Sequence, residues 1–227
     1  DYNAKFLKID EPTEEAFTKT LLKMTREKKK VIYITQGHGE REIEGQKPES
    51  ISEFKSALET SYFVKPLTLF KDSNVVPEDA AVVIVMGPDQ PLFPAEMSAL
   101  VNYAQRGGHL LIAADPALKH NLAQLIKQFG IEFQNDFVLD PRYQDQRFGN
   151  VGAVGTVFSN ESEVTKGMGN AVTLFLLASS LKPAPDAAET VKFENLVSTS
   201  DASVATEELE QNAKMKSRGP HALVMSV

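Results

Sequence analysis

The chain has 227 residues, 42% hydrophobic and 24% charged, which is the composition of a globular rather than a disordered protein. Its 24 basic and 31 acidic residues give a net charge of −7, and a negatively charged surface disfavours binding to nucleic acid. The sequence has no cysteine, which excludes disulfides, thiolate catalysis and cysteine-based zinc sites. The longest apolar run, residues 171–178, is far shorter than the ~20 residues that span a bilayer.

The first 30 residues predict a helix that ends in a basic run. Thr13 is a candidate N-cap, Glu14 and Glu15 suit the start of the helix dipole, and the lysines at 28–30 suit its end. The chain opens without an initiator methionine and closes inside an apolar stretch. We therefore expect it to be a fragment of a longer protein, with any anchor or second module outside it.

Four apolar segments in the first half of the chain predict β-strands. They are residues 31–35, 64–70, 81–86 and 109–114. Ser50 and Glu53 form a capping-box pattern that predicts a helix, and further helices are predicted after Pro94 and over residues 119–129. The connection over residues 72–79 is short for a parallel crossover, so we expect it to lack a full helix.

This order of strands and helices predicts an α/β fold with a doubly wound, mostly parallel sheet of flavodoxin-like or amidotransferase-like type. We expect a single domain over residues 1–227, with an N-terminal helical region (1–30) and a core sheet (31–141). Residues 142–227 are expected to add strands and a helix that extend or flank that sheet. Within them, the polar residues 201–216 are predicted to be helical or mobile.

Polar residues follow three of the predicted strands. In a parallel sheet of order 2-1-3-4 these turns lie side by side at the carboxyl edge, where such sheets bind ligands. The candidate ligand-binding residues are Gly37, His38, Gly39, Glu40, Gly87, Asp89 and Asp115. Glycine lets the backbone approach a ligand closely, and the imidazole and carboxylates can recognise it by hydrogen bonds. Alternatively, these residues shape turns and cap the helices that follow.

The sequence offers little for catalysis. It contains no Gly-x-Ser-x-Gly elbow and no phosphate loop ending in Gly-Lys-Ser/Thr. His109, His120 and His221 show no metal-ligand spacing and are predicted to be surface or strand-edge residues. We therefore predict no catalytic residues, no metal site and no cofactor, while a carboxylate pair drawn from the candidate site stays open as a hydrolase-like alternative.

Short motifs occur along the chain in the order typical of one family. They are residues 13–15 (Thr-Glu-Glu), 37–40 (Gly-His-Gly-Glu), 76–80 (Val-Pro-Glu-Asp-Ala), 87–88 (Gly-Pro), 103–108 (Tyr-Ala-Gln-Arg-Gly-Gly), 115–116 (Asp-Pro), 129–131 (Phe-Gly-Ile), 140–141 (Asp-Pro), 164–167 (Val-Thr-Lys-Gly), 196–200 (Leu-Val-Ser-Thr-Ser) and 219–220 (Gly-Pro). In them the chain resembles the extracytoplasmic auxiliary component of uncharacterised ABC transport systems associated with gliding motility. It departs from that family at Ser162 and Glu163, where His-Pro is usual, and at Val204, where Trp is usual.

The resemblance implies a non-enzymatic domain on the periplasmic side of the bacterial inner membrane, held there by flanking transmembrane helices. It implies an ABC permease and an ATPase as partners, and a function in binding a partner or cargo. A distant relative of the domain occurs in an intraflagellar transport subunit, where it serves assembly. The alternatives are a hydrolase-like enzyme with a polar site at the strand ends, and a pure assembly scaffold.

Overall fold

The computed structural model describes residues 9, 13, 14, 16–18, 20, 29–45, 47, 50–141, 152–210 and 213–227. The chain divides into two compact units. The first comprises Asp1–Met86 and Phe93–Leu111, and the second comprises Gly87–Leu92 and Ile112–Val227. Over the described residues, no helix combines the length and apolar character needed to cross a membrane. The single-domain organisation over residues 1–227 stays a prediction.

The first sheet is four-stranded and parallel. Its strands are β1 (Val31–Thr35), β2 (Phe63–Leu67), β3 (Ala80–Met86) and β4 (His109–Ala113). The last two residues of β4 are counted in the second unit. The strand order is β2-β1-β3-β4, and β1 pairs in parallel with both β2 and β3. The predicted order 2-1-3-4 is therefore confirmed for these strands.

The burial of β1 and β2 follows from their sequences. All five residues of β1 are buried, as is typical of a mostly apolar, β-branched strand that is covered on both faces. By contrast, β2 exposes Lys65 and Pro66. A lysine and a proline are typical of an edge strand, since they discourage pairing with another chain.

Three helices have both ends among the described residues: α1 (Ser52–Glu59), α2 (Pro94–Gln105) and α3 (Leu122–Lys127). Residues 14, 16–18 and 20 are also helical, and the Thr13 hydroxyl accepts the Ala16 N–H at 3.2 Å, as predicted for an N-cap. Pro94 opens α2 as predicted, and the connection over residues 72–79 contains turns but no helix. The predicted Ser50 capping box is wrong, because α1 begins at Ser52 and the Ser50 hydroxyl donates to the Gly45 carbonyl at 3.1 Å instead. Helix α3 is also shorter than the predicted 119–129.

The second unit is built from antiparallel sheets. Its strands are β5 (Ile131–Phe133), β6 (Phe137–Leu139), β7 (Gly152–Phe158), β8 (Thr173–Leu176), β9 (Leu181–Pro183), β10 (Glu194–Thr199), β11 (Val204–Thr206), β12 (Met215–Arg218) and β13 (Ala222–Ser226). Six of them form a sheet of order β5-β9-β13-β10-β7-β8, and the other three form a sheet of order β12-β11-β6. The described strands of these two sheets pair antiparallel.

The prediction of a doubly wound, flavodoxin-like or amidotransferase-like fold for the chain is wrong. The α/β alternation is confined to the first part of the chain, whereas in the described ranges 152–210 and 213–227 the strands follow one another without helices. Such strands pair antiparallel, because a parallel pair needs a crossover of about a dozen residues. The C-terminal strands thus do not extend the parallel sheet, and residues 201–216, predicted to be helical or mobile, contribute strands β11 and β12.

A hydrogen-bonded chain of hydroxyls surrounds His221 in the second unit. His221 is only 4% exposed, so the prediction that it is a surface or strand-edge residue is wrong. Its Nδ1 lies 2.8 Å from the Ser203 hydroxyl and its Nε2 lies 2.8 Å from the Ser217 hydroxyl. The Thr199 hydroxyl accepts the His221 backbone N–H and lies 2.6 Å from the Ser203 hydroxyl. With His221 in one neutral tautomer, each side chain of this network therefore has a hydrogen-bond partner.

Acid is expected to weaken the fold through His221. Burial lowers its pKa, the nearby Lys182 lowers it further, and Asp136 partly opposes both. Because the unfolded chain then binds the proton more readily than the folded chain, the contribution of His221 to stability is intact above the ordinary pKa of about 6.5 and is lost as the pH falls below it. The measurement is the free energy of unfolding in urea at several pH values for the native chain and for His221→Gln.

The native chain should lose stability from about pH 6.5 downwards more steeply than His221→Gln. His109→Gln, which alters an exposed histidine on β4, is the control and should keep the native slope. Identical slopes for all three proteins would contradict this account of His221.

Candidate functional site

The loop that follows β1 makes a tight turn at the carboxyl edge of the parallel sheet. The Gln36 N–H donates to the Leu67 carbonyl at 2.9 Å, and the Arg41 N–H donates to the Met86 carbonyl at 3.3 Å. Gly37 has a φ of 127°, and a Cβ at this position would lie 2.5 Å from Cε1 of Phe70. Glycine is therefore required here, because any side chain would strain the backbone and collide with the Phe70 ring.

This turn directs His38 into the protein, where it contacts a buried glutamate. His38 is 6% exposed and Glu96, in the first turn of α2, is 1% exposed. His38 Nε2 lies 2.7 Å from Glu96 Oε2, a close polar contact without the geometry of a well-directed hydrogen bond. The same Oε2 accepts the Phe93 N–H at 2.8 Å and so caps α2.

Glu40 is the second carboxylate of this site. Its Oε2 accepts the His38 N–H at 2.7 Å, which closes the turn. Its Oε1 is buried and finds no hydrogen-bond partner in the described part of the chain, and the same is true of Thr35 Oγ1. Glu40 also lines a cavity of about 300 Å³. The cavity walls are Gly39, Glu40, Arg41, Glu42, Lys47 and Ser50.

Two phenylalanine rings stand beside His38. The ring centroids of His38 and Phe93 are 5.2 Å apart, those of His38 and Phe70 are 6.0 Å apart, and all three rings meet edge to face. Phe70 is 40% exposed and Phe93 is 55% exposed. The rings therefore screen the imidazole while presenting aromatic surface to solvent.

The other predicted site residues belong to the second unit. Gly87 is buried and donates its N–H to the Ala113 carbonyl at 3.0 Å. Asp89 is exposed, and the Asp115 carbonyl accepts a hydrogen bond from His120 Nε2 at 2.8 Å. The structure thus brings residues 37–40 together with Glu96, whereas the participation of Gly87, Asp89 and Asp115 stays a prediction.

Sequence reasoning missed Glu96, Phe70 and Phe93. A glutamate two residues after Pro94 is a recognisable capping signal, but it indicates only a helix start. Its contact with His38 joins residues 58 positions apart and is set by the packing of α2 on the sheet. No sequence pattern around Phe70 or Phe93 indicates a site, since exposed apolar side chains are common on protein surfaces.

The arrangement favours binding over proton transfer. Each carboxylate already accepts a backbone N–H, Glu40 from His38 and Glu96 from Phe93. Among the described residues, no group of three or more His, Cys, Asp or Glu side chains is placed to hold a metal ion. The site can therefore recognise a ligand through hydrogen bonds, charge and aromatic contact.

Comparisons with solved structures concern the fold alone. The N-terminal domain of mmIFT52, an intraflagellar transport subunit, is similar over 76% of this chain and 74% of that one, with 16% identity and a TM-score of 0.56. A protein from Bacteroides uniformis described as thua-like covers 86% of this chain and 76% of its own, with 17% identity and a TM-score of 0.46. No curated protein matches the sequence.

The sequence also matches the profile of a protein family described as an ABC-type uncharacterized transport system, over residues 29–222. The match spans both units and contains nearly all of the motifs on which the resemblance rests. The predicted resemblance to ABC auxiliary components is confirmed, and the similarity to an intraflagellar transport subunit is confirmed as a similarity of fold, while the link to gliding motility stays a prediction. The chain belongs to the family of auxiliary components of uncharacterised ABC-type transport systems.

Proposed function

We propose that this chain is the non-enzymatic, extracytoplasmic domain of a membrane-anchored auxiliary subunit of a gliding-motility-type ABC transport system. It acts on the periplasmic side of the bacterial inner membrane by binding a partner, the ABC permease with its ATPase. The observation that carries the proposal is the family match over residues 29–222. The absence of cysteine is compatible with an oxidising compartment.

The surface beside His38 is the proposed contact region. Phe70 and Phe93 are half-exposed aromatic side chains, and aromatic residues are enriched where interfaces gain most of their energy. Both phenylalanine rings pack edge to face against the His38 ring. Because these contacts already restrict the rings, they should lose little conformational freedom when a partner binds. Gly87, Asp89 and Asp115 are proposed as further binding residues at the ends of β3 and β4.

The hydrolase-like alternative rests on one observation, the 2.7 Å contact between His38 Nε2 and Glu96 Oε2. A histidine–carboxylate pair can move protons, but His38 is 6% exposed and Glu96 is already engaged with the Phe93 N–H. A substrate would have to displace the phenylalanine rings to reach the imidazole. Binding is therefore the function that this geometry supports better.

Copurification tests the proposal. The tagged protein is co-expressed with the permease and ATPase subunits of an ABC transport system and recovered from solubilised membranes. We expect both subunits to be retained. Phe70→Ser combined with Phe93→Ser should weaken retention at least about tenfold, because truncating aromatic anchors costs about 2 kcal/mol or more.

Val172→Ser is the matched control, since Val172 is 60% exposed and lies in the second unit. It should leave retention unchanged. Failure of the native protein to retain either subunit would refute the proposed function, and equal loss in the control would refute the assignment of the contact region.

A further inference from the structure

Strand β8 lies at one end of the six-stranded sheet of the second unit. It pairs with β7 on one side, from Thr173 opposite Gly155 to Leu176 opposite Gly152. In the described part of the chain, no strand pairs with the other side of β8. A strand at the edge of a sheet presents a row of unpaired N–H and C=O groups, which can pair with a strand of another chain.

The side chains of β8 alternate between the core and the solvent. Phe175 packs against two buried apolar clusters, whereas Leu174 is 47% exposed and Leu176 is 43% exposed. Leu177, directly after the strand, is 40% exposed and has a φ of 57°, a left-handed conformation that is strained for leucine. Three exposed leucines in four residues, one of them in strained backbone, indicate a surface that a partner covers.

The β8 edge lacks the residues that protect other edge strands of this chain. Strand β2, at the edge of the parallel sheet, exposes Lys65 and Pro66, and β5, at the opposite end of the sheet that contains β8, exposes Glu132. By contrast, no residue between Lys166 and Lys182 is charged, although 24% of the whole chain is. Charged side chains and proline discourage an edge strand from pairing with another chain. Strand β8 is therefore open to such pairing in a way that β2 and β5 are not.

We propose that β8 is a self-association surface, where the β8 strands of two copies of this chain pair about a twofold axis and join their sheets. A twofold axis perpendicular to the sheet makes two identical strands antiparallel, which is the direction in which the neighbouring strands of this sheet already pair. It also brings each segment against itself, so any charge on it would face a like charge. The uncharged residues 167–181 meet this condition, whereas a partner of a different sequence would not impose it.

The alternation of the side chains favours one register for the two strands. This axis keeps the exposed faces of both copies on the same side, so an exposed residue of one copy lies opposite an exposed residue of the other. When the axis passes between the two Phe175 residues, Leu174 of each copy lies opposite Leu176 of the other, and Thr173 lies opposite Leu177. The exposed leucines then cover one another. Because each copy uses its β8 edge once, association stops at the dimer.

The test is sedimentation equilibrium of the purified chain. We expect the mass to approach twice 25.0 kDa as the protein concentration rises to about 100 µM, well above the micromolar Kd of a modest interface. Leu174→Lys combined with Leu176→Lys should raise the dimer Kd at least about 100-fold, because it places like charges opposite one another. Leu118→Lys combined with Leu209→Lys is the matched control and should dimerise like the native chain. Both of its positions are 41% exposed leucines of the second unit outside β8.

Mixing two charged variants distinguishes direct pairing from misfolding. Leu174→Glu combined with Leu176→Glu should also be monomeric by itself. An equimolar mixture of this protein with the double-lysine protein should form heterodimers, because each lysine then lies opposite a glutamate. A misfolded variant would not recover association in this way.

Hydrogen exchange of the native chain gives a second measurement that needs no variant. The amides of residues 173–177 should exchange more slowly at about 100 µM than at about 1 µM, because the dimer pairs them. A native chain that stays monomeric would overturn the proposal, and so would a dimer that leaves these amides unprotected or that the two lysines leave intact. Equal loss of the dimer in the control, or a mixture without heterodimers, would also overturn it. A monomer that binds phosphatidylcholine vesicles would identify a lipid surface as the occupant instead.

Discussion

Glu96→Ala is expected to lower the free energy of unfolding by about 2–5 kcal/mol, because it removes a helix cap, worth about 0.5–2 kcal/mol, and leaves a buried polar group of His38 without its partner, at about 1–3 kcal/mol. Glu96 is 1% exposed and its carboxylate has two roles, because Oε2 both contacts His38 Nε2 at 2.7 Å and accepts the Phe93 N–H at 2.8 Å. Its loss leaves a buried imidazole without its partner and the first turn of α2 without its cap. Urea unfolding followed by far-ultraviolet circular dichroism measures the change.

Glu96→Gln separates the two roles of this residue. Its carbonyl can still accept the Phe93 N–H, so the cap is retained while an amide replaces the carboxyl group opposite His38. We expect a loss of stability smaller than that of Glu96→Ala. Glu78→Ala removes an exposed carboxylate of the same unit and should change the free energy of unfolding by no more than about 0.5 kcal/mol. A Glu96→Ala protein as stable as this control would show that the contact between Glu96 and His38 does not contribute to the free energy of unfolding.

Asp136→Ala is the second substitution with a large expected effect, again about 3–5 kcal/mol. Asp136 is 1% exposed and lies directly before β6. Its Oδ1 accepts the Ser180 N–H at 2.8 Å and the Ser179 hydroxyl at 3.2 Å, and its Oδ2 accepts the Ser180 hydroxyl at 2.9 Å. Alanine would leave buried donors of the Ser179–Ser180 turn unpaired and release the segment that leads into β9.

Asp201→Ala is the matched control, because Asp201 is an exposed aspartate in a turn of the same unit. It should shift the urea midpoint little, whereas Asp136→Ala should shift it far toward lower urea. Asp136→Asn keeps an acceptor for the Ser180 N–H and should fall between the two. Equal midpoints for Asp136→Ala and Asp201→Ala would contradict the anchoring role of this carboxylate.

Local sequence patterns were sufficient for the first sheet. The buried run of β1 and the apolar run of β3 predicted strands nearly to the residue, and Gly37 marked the turn that follows β1. These patterns succeed because a strand buried on both faces needs an unbroken apolar run, which few other structures produce. The parallel direction also followed for the strands that are joined through a helix, since a helix supplies the crossover that parallel pairing requires.

The same patterns failed in the second half of the chain. Strands β8, β9 and β11 are three or four residues long, too short for their periodicity to indicate which strands they pair with. The pairing of β10 with both β7 and β13 joins segments far apart in the sequence. Such pairings depend on the burial of whole sheet faces, and the sequence of a short segment does not indicate how much its face will bury.

By itself, the sequence determined the family of this chain, the positions of its first four strands and the polar turn at residues 37–40. Each of these depends on residues that are neighbours along the chain, where backbone conformation and side-chain type are directly coupled. Tertiary structure alone decided that Glu96 meets His38, that Glu40 keeps an unpaired oxygen beside a cavity, and that the C-terminal strands form antiparallel sheets. These features arise from contacts between distant segments, and such contacts form only when the burial of apolar faces brings the segments together.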